Sequence, residues 1–180
     1  MPTSNPAEGV AVIPLGGMII TFGEHAGGGR LLCLEHTGEL VASMDLARMP
    51  TGAVSTASRL VLALGGEAAS RGAGELLGLE ISGLKIRQTW TRAVEGPGRG
   101  GLCLVDGGVV VAAGDALLLA NPADGKTAWE RRDLGQATAV CPLGRELLAA
   151  HGGLLLLLDA ASGETLREFP GSNQAISSGA

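Results

Sequence analysis

A chain of 180 residues is long enough for one domain with a substantial core and too short for two comfortable ones. Hydrophobic residues make up 46% of it and charged residues 17%, which excludes a disordered polymer. The net charge of −5, with Phe22, Trp90, Trp129 and Phe169 as the whole aromatic complement, excludes a nucleic-acid or acidic-membrane partner, which would need basic and stacking side chains.

Residues 1–9 carry neither the basic start nor the apolar stretch of a secretory signal. The longest apolar run, around Leu154 to Leu158, falls far short of the ~20 residues that span a bilayer. The expected location is therefore the cytoplasm, without membrane insertion. Thirty glycines are scattered with no three-residue period, which predicts many turns between short elements.

The elements repeat. An inner strand near Val10 to Ile13 opens the first unit. Apolar strands follow at 18–22, 60–64, 109–113 and 146–150. Each leads through a Gly-containing turn into a leucine-rich strand, at 31–34, 76–79, 117–120 and 156–158. Glu35, Glu80, Asn121 or Asp159 comes next, and then a turn glycine at Gly38, Gly83, Gly125 or Gly163. Those glycines stand 45, 42 and 38 residues apart, the period of a four-stranded propeller blade. An acidic or amide side chain can close such a turn, and Gly takes its positive φ.

After each turn comes a more polar strand, at 39–46, 84–92, 126–132 and 164–169. That gradient fits a blade whose middle strands are covered on both faces while the outer strand meets water. The predicted fold is all-β: a β-propeller of four tandem, four-stranded antiparallel blades at 10–49, 51–96, 99–134 and 136–171. Residues 172–180 read as the inner strand of a further blade.

The turn segments resemble the blade signature of the pyrroloquinoline-quinone (quinoprotein-like) repeat family. There a leucine or alanine strand leads to Asp, a Thr-Gly or Ser-Gly turn, and a Trp four residues after the Gly. The third repeat is the most similar, with Asn121, Gly125 and Trp129. The fourth has Asp159 and Ser162-Gly163, with Arg167 in the Trp position; the first has Thr37-Gly38 and Ala42; the second places Trp90 out of register. In the family's dehydrogenases the resemblance implies a channel-bound quinone, calcium, a catalytic Asp and adjacent cysteines. Cys33, Cys103 and Cys141 are widely separated and no Asp matches a catalytic motif, so neither activity nor cofactor is carried over. The three cysteines, each in an apolar stretch, are expected to be buried free thiols.

The remaining motifs reduce to turns. Residues 120–127 fit a relaxed phosphate-binding loop, but Gly135 follows too soon for the helix that chemistry needs. His25, His36 and His151 lack metal-ligand spacing, and Ser55, Ser58 and Ser82 lie in no nucleophile elbow. No catalytic or metal-binding residue is assigned.

An open arc of four blades leaves two apolar faces bare. The chain is therefore expected to associate with itself as half of an eight-blade ring, to dock on a protein partner, or to belong to a longer propeller. The function expected is a non-enzymatic scaffold or protein–protein interaction module, using long loops at 24–30, 65–75 and 93–100. The alternative is a diverged quinoprotein-type propeller holding a small ligand in its channel.

Overall fold

The computed structural model describes residues 11–65, 73–95, 97–134, 137–151 and 154–170. They form sixteen strands in four antiparallel sheets, each a meander in chain order. Blade one holds β1 (Ala11–Leu15), β2 (Met18–His25), β3 (Gly28–Glu35) and β4 (Leu40–Leu46). Blade two holds β5 (Pro50–Ser55), β6 (Arg59–Leu64), β7 (Ala73–Ser82) and β8 (Lys85–Glu95). Blade three holds β9 (Pro97–Val105), β10 (Gly108–Ala113), β11 (Ala116–Ala120) and β12 (Thr127–Arg131). Blade four holds β13 (Ala137–Leu143), β14 (Glu146–His151), β15 (Leu154–Asp159) and β16 (Thr165–Pro170). Among the described residues no helix is long and apolar enough to cross a membrane.

The blades stack in sequence order, with the first strands β1, β5, β9 and β13 lying side by side. Three apolar clusters fill the three junctions. Ile20, Phe22, Leu31 and Cys33 of blade one pack on Leu60, Leu62, Leu77 and Leu79 of blade two. Val61, Ala63 and Leu76, on the opposite face of blade two, meet Val109, Val111 and Leu118 of blade three. Val110, Ala112, Leu117 and Leu119 then meet Leu147, Ala149, Leu156 and Leu158 of blade four. Fully burying one such leucine contributes about 2 kcal/mol, and no blade can bury both faces alone.

Burial follows position in the stack. In blade three every residue of β10 and β11 is buried, because both faces are covered. In the end blades burial alternates along β3 and β15, because side chains on one side of the sheet have no neighbouring blade. Polar outer strands β4, β8, β12 and β16 complete the blades.

Every blade carries the same irregularity between its third and fourth strands. The register shifts at Cys33/Leu34, Gly78/Leu79, Leu119/Ala120 and Leu157/Leu158. Just inside the shift, Ala42, Trp90, Trp129 and Arg167 face Cys33, Gly78, Leu119 and Leu157. Trp90 is thus in register with Trp129. The hairpin of blade two is longer: it turns at Gly83-Leu84 and then pairs Ser82 with Lys85, so Trp90 lies further from the turn glycine along the chain.

Two further expectations are corrected. Residues 24–30 form a tight hairpin, turning at Ala26 (φ 48°) and Gly27 (φ 81°) between paired His25 and Gly28, and residues 93–95 and 97–100 are strand. Most of 65–75 and all of 172–180 lie outside the described residues.

Candidate functional site: blade clasps and the open end faces

Each tryptophan joins its blade to the next. Trp90 donates its indole N–H to the Pro122 carbonyl oxygen, 3.0 Å away, and Trp129 donates to the Ala160 carbonyl at 3.1 Å. The acceptors sit in the turns that Gly125 (φ 69°) and Gly163 (φ 74°) make possible. A Cβ at Gly125 would stand 2.6 Å from Trp90, and one at Gly163 would stand 2.8 Å from Trp129. Glycine serves twice there, for the left-handed backbone and for the ring that covers it.

Two residues after each tryptophan comes an arginine that reaches the same neighbour. Arg92 donates to the Thr127 hydroxyl and pairs with Glu130 at 3.4 Å. Arg131 donates to the Gly163 carbonyl and the Thr165 hydroxyl, both at 2.9 Å, while Asp133 holds it from the side at 2.6 Å.

The turns themselves are closed in different ways. Asp159 accepts bonds from the Ser162 amide (2.8 Å), the Ser162 hydroxyl (2.9 Å) and the Ala161 amide (3.1 Å). Those Ser162 bonds hold its carboxyl below the usual range. Asn121 accepts from the Ala123 amide at 2.8 Å in the equivalent place. Glu80 instead pairs with Arg87 across the hairpin, which lowers its pKa, and the Glu35 turn is closed by backbone bonds to Gly38 and Glu39.

No chemistry-bearing constellation emerges elsewhere among the described residues. Among the described residues, no three His, Cys, Asp or Glu side chains converge as metal ligands. His25 and His36 are exposed, Ser55 donates to the Pro14 carbonyl, and Thr127, where a phosphate loop would need a helix, opens β12. Cys33 and Cys103 are buried, and burial pushes Cys103 up to about 11, with Cys141 adding to the shift. Cys141 is exposed, against the expectation drawn from its apolar neighbours.

The exposure of Cys141 belongs to a larger pattern. The row Cys103–Val110–Leu119–Trp129 in blade three corresponds to Cys141–Leu148–Leu157–Arg167 in blade four. The first row packs on the next blade; the second has none. One step along the sheet, Leu31, Leu76 and Leu117 are 0% exposed, whereas Leu155 is 39% exposed. At the inner strand Leu15 and Val105 are 2% and 8% exposed, and their counterpart Leu143 is 54% exposed. At the other end of the stack, Ile19, Thr21, Leu32 and Leu34 of blade one are half-buried. Their counterparts in the later blades, such as Leu60, Val109 and Leu147, are all fully covered. Both end faces are open.

No family model matches the chain, and no curated protein matches it. Among solved structures it is similar to the crystal structure of BamB from Moraxella catarrhalis, with a TM-score of 0.62 and 20% identity. The match covers 85% of this chain and 49% of that one, so the chain spans about half the length of its structural neighbour. Sheet order, junctions and this likeness together show the fold: four antiparallel, four-stranded blades of a β-propeller.

Proposed function

We propose that the chain is a non-enzymatic propeller scaffold that binds protein through the open faces of its first and fourth blades. The observation that carries this reading is Leu155, 39% exposed in a position that buries leucine completely in the other three blades. Around it Leu143, Leu148 and Leu157 continue one apolar surface on the same side of the sheet. Contiguous apolar patches of this kind mark interaction sites. The Asp159 carboxylate is engaged in holding its own turn.

The test is capture by the immobilised chain. A protein partner is retained, and Leu155→Glu releases it while the chain keeps its β-sheet circular dichroism. Retention that ignores Leu155→Glu, or dye reduction after adding the quinone with calcium, contradicts the reading.

A further inference from the structure

We infer that the occupant of the blade-four face is blade one of a second copy of this chain, with two copies closing a ring of eight blades. This rests on the interaction-module reading and names its partner.

The argument is the repetition of one junction. At all three internal junctions, the forward face of one blade packs on the backward face of the next through the same register positions. Among the described residues no blade packs on the forward face of blade four or on the backward face of blade one, whose apolar side chains are exposed or half-buried. Those two surfaces are what a fourth junction would need. Within one chain they lie at opposite ends of the stack, and among the described residues no cluster joins them. Two chains related by a two-fold axis place forward face on backward face twice, which closes the assembly instead of propagating it.

The clasp supports the same pairing. Where blades two and three carry Trp and then Arg two residues later, blade four carries Arg167 and Phe169, with the guanidinium 4.9 Å from the ring centroid. At the two tryptophan junctions this position lies over the turn glycine of the following blade. The turn glycine of blade one is Gly38, and no atom lies within 4 Å of where its Cβ would be. Glu35 and Glu39 flank it, both exposed. A cation at Arg167 meeting this acidic turn complements it in charge.

Sedimentation equilibrium of the 180-residue chain tests the inference. The expected mass is about 36 kDa, twice the 18.0 kDa of one chain. Because the ring contains the contact twice, Arg167→Glu is expected to weaken association by roughly a hundredfold. Adding Glu39→Arg to the same chain is expected to restore it. Arg167 is exposed, so this pair of variants reports association with the fold intact. A monomer at every concentration overturns the second copy, as does a dimer insensitive to both Arg167→Glu and Leu155→Glu. A monomer that still loses protein capture on Leu155→Glu removes the second copy and leaves the module reading standing.

Discussion

Trp90 lies flat against Gly125 of the following blade and donates its indole N–H to Pro122, three residues before that glycine. Trp129 repeats the arrangement on Gly163 and Ala160. The same turn in blade two has no such cover: nothing lies within 4 Å of a Cβ built on Gly83, because Ala42 stands where a tryptophan would.

These three glycines separate two physical effects. Gly83→Ala meets only the left-handed backbone penalty, about 1 kcal/mol. Gly125→Ala and Gly163→Ala meet that penalty and a clash with an indole, costing about 2–4 kcal/mol. Urea unfolding of the three variants checks the order. Equal losses would mean that the tryptophans do not seat on the turns.

Acid weakens the fold through the turn of blade four. The folded pKa of Asp159 is depressed, so its contribution is present above the unfolded value of about 3.9 and is lost as pH falls through the lower folded value. Asp159→Asn reproduces the side chain that blade three uses at Asn121. It is expected to fold at neutral pH with a shallower loss of stability below pH ~4. Melting temperature against pH for the two chains gives the comparison; parallel curves would refute it.

Base acts through Cys103. Its folded pKa is raised from 9.0 to about 11, so the stabilisation is complete below 9.0 and is lost as pH rises through that interval. Cys103→Ala leaves a small cavity at all pH values and removes the alkaline decline. Denaturant midpoints at neutral pH and near pH 10 measure this, and an undiminished decline in the variant contradicts it.

Much of the architecture is legible in the chain. The apolar strands, the turn glycines and the polar outer strands announce a blade because each reflects a local rule: period, positive φ, or exposure of the last strand. Trp90 is misread because spacing along the chain counts residues from Gly83, whereas the ladder counts pairs from the bulge at Gly78. Lengthening both arms of a hairpin changes the first count and leaves the second intact. Cys141 is misread for another reason. Its neighbours Val140 and Pro142 are apolar, as a junction requires, and only the place of blade four at the end of the stack leaves that junction uncovered. The open faces are likewise invisible locally, since Leu155 and Leu117 sit in similar sequence.

The Cys103–Cys141 pair tests the central claim most directly, because the two thiols occupy one register position in successive blades. The Leu155→Glu chain, which keeps the end face free of partners, is treated with a thiol reagent at pH 8 and each cysteine is followed by mass spectrometry. Cys141 is predicted to react at close to the rate of a free thiol, and Cys103 only as fast as the protein unfolds. Equal protection of both, or equal reactivity of both, would contradict a covered third blade beside a bare fourth.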